Sequence, residues 1–228
     1  MSWSFLPHYL PYFNDGMVFT IIISIFVVVF GTILGILLAL GKMSKIAPLR
    51  WILNAYIEIF RDTPMLVQIM VGYAIMGGAN WPTVHVGILA EDLGRLVPGI
   101  LILSLNSGAY MAEIVRAGIE SVPAGQREAA YSLGIRPAQA MSNIILPQAV
   151  RNILPAVGNE FVTIIKDSSL LYTIGVMEVF NGALTVGTMT YQTLSPMLFA
   201  SLYYFIVCFA LSRLLSRFEK KLGKGYVK

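Results

Sequence analysis

Five apolar runs, at about residues 17–41, 53–77, 97–117, 150–180 and 196–216, constrain this chain more than any other feature. Each is near the roughly 20 residues that a helix needs to cross a bilayer. With 57% hydrophobic and 12% charged residues, little is left over to make the surface of a soluble domain. The short alternating segments of a membrane β-barrel are absent. The sequence therefore predicts an all-α membrane protein of about five transmembrane helices. It reads as a single domain over 1–228, with its core at about 17–217 and no separate soluble module.

The positions of the basic residues predict orientation. Lys42, Lys45 and Arg50 follow the first run, while Arg116, Arg127, Arg136 and Arg151 surround a polar stretch at about 118–149. Arg213, Arg217, Lys220, Lys221, Lys224 and Lys228 crowd the C-terminus. In the alternating segments 1–16, 78–96 and 181–195, Arg95 is the only basic residue. By the positive-inside rule the N-terminus lies outside and the C-terminus in the cytoplasm, which requires an odd number of crossings. The expected location is the cell (plasma or inner) membrane, multi-pass. Anionic lipid headgroups explain the basic tail at less cost than nucleic acid, which is not expected as a partner. Residues 1–16 carry Trp3, Phe5, Tyr9, Tyr12 and Phe13 without any Lys or Arg, an interfacial composition rather than a cleavable signal. Cys208 is the single cysteine, and His8 and His85 lie apart from any partner at ligand spacing. No metal site is expected.

A charge at the bilayer centre costs at least about 2.5–3.5 kcal/mol on insertion scales, so charges kept there face protein, water or ligand. The fourth run holds Glu160, Lys166 and Asp167. Seven residues return a helix to nearly the same direction, which puts Glu160 and Asp167 on one face, roughly 10 Å apart along the axis. Thr163 lies on the same stripe. Lys166 points about 100° away from Asp167 and is not the automatic partner of either acid. Two carboxylates on one face make a cradle for an ammonium group; the rival role of Glu160 is an ion pair with Arg61 or Lys166.

Arg61 is the best cation for a carboxylate ligand. Its rival role is a pair with Glu58 or Asp62 near the cytoplasmic end of the second span. Thr63 and Gln68 offer further donors on that span, and Asn106, Ser107 and Tyr110 offer polar groups on the third. Gly108 and Ala109 suit close helix packing. Glu113 is expected to pair with Arg116 at i+3. Pro155 and Gly158 are expected to interrupt the start of the fourth span, and Gly175 its far end, giving a bent helix beside a pathway. No Ser/His or metal-ligand constellation exists, so no catalytic residue and no enzyme activity are predicted.

The stretch Glu128 to Pro147, EAAYSLGIRPAQAMSNIILP, is a polar island among these runs. Pro123 suits the first turn of a short helix and Gly134 is placed to end it. Pro137 can start a second helix, and Pro147 closes the unit. Ala129 and Ala130 allow close packing, and Leu133 is an apolar knob. The spacing is Glu-Ala-Ala, three residues, Gly, nine residues, Ile-x-Leu-Pro. It resembles the signature loop of the membrane subunits of ABC importers, which in that family docks into a cleft on the cytoplasmic ATPase.

Further blocks carry the resemblance. Residues 60–68 (FRDTPMLVQ), 104–119 with 125–128, and 158–161 with 166–170 look like the second, third and fourth spans of permeases for polar amino acids. Asp62 stands where that family often has Gly, which leaves open whether it touches substrate or only ends a helix. The resemblance covers nearly the whole of 17–217. It implies a type I ABC importer transmembrane fold in the polar amino acid subfamily, of the histidine, arginine, glutamine or glutamate type.

That resemblance implies an ATP-driven importer for polar amino acids, with a lean to basic or amide side chains because of the paired acids. The substrate-binding residues would be Glu160, Asp167, Thr163, Arg61, Thr63, Gln68, Asn106, Ser107 and Tyr110. The ATPase-coupling residues would be Glu128, Ala129, Ala130, Leu133, Gly134 and Pro147. Implied partners are a second permease subunit, identical or different, two ABC ATPase subunits carrying ATP and magnesium, an extracytoplasmic amino-acid-binding protein, and the lipid bilayer. No cofactor is expected on this chain. The string Gly35 to Gly41-Lys42-Met43 is one residue too long for a phosphate-binding loop and lacks the hydroxyl for magnesium. Energy then comes from another chain or from an ion gradient. The alternative is an ion-coupled secondary amino acid transporter using Glu160 and Asp167 as ion sites, although the internal repeat common in such transporters is absent.

Overall fold

The first apolar run becomes a single helix, α1 (Leu6–Lys42), in the computed structural model, which describes residues 3, 5–77 and 81–223. The remaining elements are α2 (Ala47–Asp62), α3 (Met65–Met76), β1 (Thr83–Val86), β2 (Leu89–Asp92), α4 (Leu93–Glu120), α5 (Ala124–Ser132), α6 (Pro137–Ala140), α7 (Leu146–Asp167), α8 (Val179–Thr190) and α9 (Leu194–Gly223). A π-turn at Met141–Ile145 joins α6 to α7, and a 3-10 segment at Ser168–Ile174 follows α7. Lys224 and Lys228 of the basic tail lie outside the described residues, as do 78–80 of the segment before β1. Three helices, α1, α4 and the last, are long and apolar enough to cross a membrane, and the bent unit from Pro137 to Thr190 raises the number to four.

The expected second span is split in two. Thr63 (φ −110°, ψ 147°) and Pro64 (φ −63°, ψ 129°) are extended, because a residue before proline is pushed out of the α region. The expected breaks at Pro155 and Gly158 do not occur: α7 runs unbroken through both. Gly158 serves close approach instead, since a Cβ there would come 2.7 Å from Leu215 Cδ2 of α9. The bend comes later, at the 3-10 segment and Gly175 (φ 85°), ahead of α8 at 50°.

In lipid, helices associate through packing and polar contacts rather than through a hydrophobic drive, which favours small residues at their interfaces. α1 and α4 form the central pair on these terms. A Cβ on Gly31 would meet Ser107 Oγ at 2.7 Å, and one on Gly35 would strike Met111. In return, Gly108 of α4 receives Leu34 of α1. Around the pair, Ile23, Val27, Ile69, Ile102, Leu103, Ile164 and Leu171 make one buried cluster. α9 closes the other side and leaves Leu202, Phe205, Ile206 and Phe209 exposed.

Each end of the α1–α4 pair is tied by polar groups. At the α5 end, Glu113 accepts from Lys42 Nζ of α1 at 2.6 Å and pairs with Arg116 at 2.8 Å. The i+3 pair is as expected, while the Lys42 bond adds a cross-helix tie. At the opposite end, β1 and β2 form an antiparallel hairpin with Val86 opposite Leu89. Its turn places Gly87 at φ 55° and offers the Ile88 N–H to Asp15 Oδ2 of α1 at 2.8 Å. Glu91, 1% exposed, accepts from the Met177 N–H at 2.6 Å, and Arg95 donates to the Gly175 carbonyl at 3.3 Å. The hairpin therefore straps α1 and α4 to the bend before α8.

Candidate functional site

Halfway along the 28-residue α4, opposite the α2–α3 break, lies a cavity of about 230 Å³. It is lined by Thr63, Met65, Asn106, Tyr110, Glu160, Thr163 and Asp167. That volume is below the roughly 300–1,000 Å³ of drug-sized ligand pockets and suits a small polar molecule. The α7 side supplies the stripe Glu160, Thr163 and Asp167, as its spacing predicts. Glu160 Oε1 accepts from Ser107 Oγ at 3.2 Å. Among the described residues, neither Glu160 nor Asp167 belongs to an ion pair; all three ion pairs present join Lys42, Glu113, Arg116 and Glu120.

The other sequence-predicted residues are brought close by degrees. Thr63, Asn106 and Tyr110 line the cavity directly. Ser107 is buried behind it and reaches it only through Glu160. Arg61 lies in the last turn of α2, at the α2–α3 break inside the bundle. Its guanidinium stacks over the Tyr110 ring, 5.5 Å from the centroid, in place of a pair with Glu58 or Asp62. Gln68 faces a neighbouring, more apolar cavity and turns its side chain toward the break. Met65 was missed; the signal was its place immediately after Pro64, where α3 restarts.

A second feature stands at the far end of the bundle. α5 projects with Glu128 and Ala129 exposed, Ala130 tucked in at 2% exposure, and Leu133 at 79%. Gly134 follows at φ 74°, a left-handed position that glycine adopts without strain. The Gly134 N–H donates to the Tyr131 carbonyl, and the Ile135 N–H to that of Ala130, which closes the helix end. Pro123 is the capping residue just before the first turn, and Pro137 opens α6. The expectation that Pro147 closes the unit is corrected. It sits in the first turn of α7, where its missing N–H is tolerated, and the chain passes from α6 through the π-turn into α7.

A membrane bundle with a small acidic cavity halfway down and an exposed two-helix unit at one end is the geometry on which comparison with known proteins bears. The model of the binding-protein-dependent transport system inner membrane component family matches residues 31–224. The chain belongs to that family. It is accordingly a multi-pass inner membrane component of the ABC importer class, with the type I importer transmembrane fold. It is 36% identical over 213 residues to the arginine transport system permease protein ArtQ of Bacillus subtilis (strain 168), covering 93% of each chain. Identity is also 36% over 219 residues to the L-cystine transport system permease protein TcyB of the same organism, covering 96% of this chain and 89% of that one. The crystal structure of an amino acid ABC transporter with histidines superposes with a TM-score of 0.88 at 37% identity, covering 97% of this chain and 99% of that chain.

Proposed function

We propose that this chain is the permease subunit of an ATP-driven importer of polar amino acids, with a lean to cationic or amide side chains. The whole of 1–228 serves as one transmembrane domain with five crossings, α2 and α3 counting as one. Its N-terminus is outside and its C-terminus cytoplasmic, in keeping with the distribution of Lys and Arg. The observation that carries the substrate reading is the cavity wall of Glu160, Thr163 and Asp167, with no cation among the described residues paired to either acid. A carboxylate kept at mid-bundle needs a partner, and a ligand ammonium supplies one. Arg61, stacked on Tyr110, is the group for the ligand's carboxylate. Relatives of this chain carry names as different as arginine and L-cystine permease, so the residues of the cavity, and not family membership, support the lean.

ATP and magnesium belong to two separate ATPase subunits, and a second permease subunit completes the membrane unit. The exposed α5–α6 unit supports that reading over ion coupling: Leu133 and Glu128 stand where a soluble partner can grip them. A binding protein delivers the amino acid at the hairpin end. Transport is coupled only if the loaded binding protein and ATP favour different conformers of the spans around the cavity.

The test is Glu160→Gln in the complete complex reconstituted into proteoliposomes. Removing one of two charges that face a cationic side chain should reduce its uptake about tenfold, a loss of about 1.4 kcal/mol of charge-assisted bonding. A neutral amide substrate should lose no more than a few-fold. Equal loss for both would contradict direct recognition of substrate charge.

A further inference from the structure

Breaking a helix in the middle of a membrane bundle frees carbonyls that must find donors, since no water replaces them in the hydrocarbon. The α2–α3 break frees those of Ile59, Phe60 and Thr63. Thr63 Oγ1 donates back to the Ile59 carbonyl at 2.6 Å. Gln68 Nε2, from the first turn of α3, lies 2.8 Å from the Phe60 carbonyl, 3.1 Å from that of Thr63 and 2.7 Å from Thr63 Oγ1. Asn106 Nδ2 reaches across from α4 to the same Phe60 carbonyl at 2.8 Å and to Gln68 Oε1 at 2.9 Å. One helix turn away, Tyr56 donates to the Leu105 carbonyl at 2.7 Å and stitches α2 to α4 again.

A primary amide has two N–H hydrogens. Asn106 uses both, one on Phe60 and one on Gln68. Gln68 divides its two among three oxygens of the break. Neither side chain has a donor left for a ligand. What Asn106 can still show the cavity is Oδ1, an acceptor, which suits an ammonium and not a carboxylate.

We propose that Gln68 and Asn106 are positioning residues: together they form an amide clasp that holds the α2–α3 break against α4 and so sets Thr63 and Met65 opposite the Glu160–Asp167 stripe. This rests on the reading of the cavity as the substrate site. The clasp fixes the shape of one wall, and the carboxylates of the other wall supply the charge selectivity. Loss of the clasp therefore weakens every substrate alike, whereas loss of Glu160 discriminates between them.

The experiment uses the reconstituted complex with binding protein and ATPase. Gln68→Met keeps the length and volume of the side chain and removes its hydrogen bonds, and Thr63→Val, as a milder change, removes the hydroxyl that accepts from Gln68 and donates to the Ile59 carbonyl. Spin labels at Ile59 and Val150 measure the distance between α2 and α7. Gln68→Met should broaden that distribution and raise the uptake KM about tenfold for a cationic and a neutral amino acid equally, with Thr63→Val shifting both the same way by less. The exchange Gln68→Asn with Asn106→Gln, which preserves both amides, should restore part of the loss. An unchanged distance distribution in Gln68→Met overturns the clasp whatever uptake does. A KM change confined to one substrate overturns it too, since that is the behaviour of a ligand donor. If the distribution broadens while Gln68→Met and Glu160→Gln both leave uptake untouched, the cavity is not the substrate site and the clasp stands as a property of the break.

Discussion

Gly134 shows how a residue with no side chain to pack can still act through its backbone. It occupies the left-handed region at φ 74°, and no atom lies within 4 Å of where a Cβ would be. Its value is therefore conformational and not steric. An alanine fits the space but adopts that conformation at a cost of about 1 kcal/mol. If the end of α5 relaxes when unbound, a docked partner must restore the turn, and Gly134→Ala should weaken ATPase binding about fivefold. Titration of the ATPase against the permease in nanodiscs measures this; an unchanged affinity would mean that the turn is not part of the docking surface. The residue was legible because Gly preceded by a short helix and followed by Ile-Arg-Pro leaves few other conformations. The roles of Gln68 and Asn106 were not. A polar side chain in a membrane span looks the same in sequence whether it faces a ligand or mends a helix, and only the position of the break decides.

Among the elements, the hairpin of β1 and β2 is the one whose behaviour should follow pH. Burial pushes the Glu91 carboxyl up to about 7 from an ordinary 4.5, against the opposing pull of the Met177 N–H bond and the nearby Arg95 charge; the Asp92 charge adds to the rise. Between those two values the folded protein holds the Glu91 proton more tightly than the unfolded chain does. Stability from this group therefore grows as pH falls from about 7 toward 4.5, is complete below 4.5, and is lost above 7. The melting temperature of the purified protein should rise from pH 8 to pH 5, and that part of the rise should disappear in Glu91→Gln. Identical slopes in the two proteins would contradict it. The long helices were legible in sequence because 20 apolar residues leave no alternative in lipid, whereas this hairpin was not. Its strands are four residues each, too short beside the long runs to stand out, although Thr83–Val86 before Gly87 carries a weak alternation. Of the breaks expected in the fourth run, the one at Gly175 is where the chain bends, whereas those at Pro155 and Gly158 do not occur. Proline spacing alone could not show that α7 runs unbroken there and that Leu215 of α9 packs onto Gly158.

At the scale of the molecule, three features lie along one axis: the hairpin strap, the acidic cavity, and the exposed α5–α6 unit. α1 and α4 join them as a closely packed pair, through Gly31, Gly35 and Gly108 and the tie of Glu113 to Lys42. A pull on α5 is thus carried into α4 on one side and, through the π-turn, into α7 on the other. Those are two of the walls that meet at the cavity. The account stands or falls on a soluble ATPase gripping α5. Leu133→Cys, in a Cys208→Ala background, places one thiol on the exposed knob. In inverted membrane vesicles carrying the complete complex, it should crosslink to the ATPase, and added ATP should change the yield. A thiol that reacts only from the opposite face of the membrane, or that never joins the ATPase, would contradict the account.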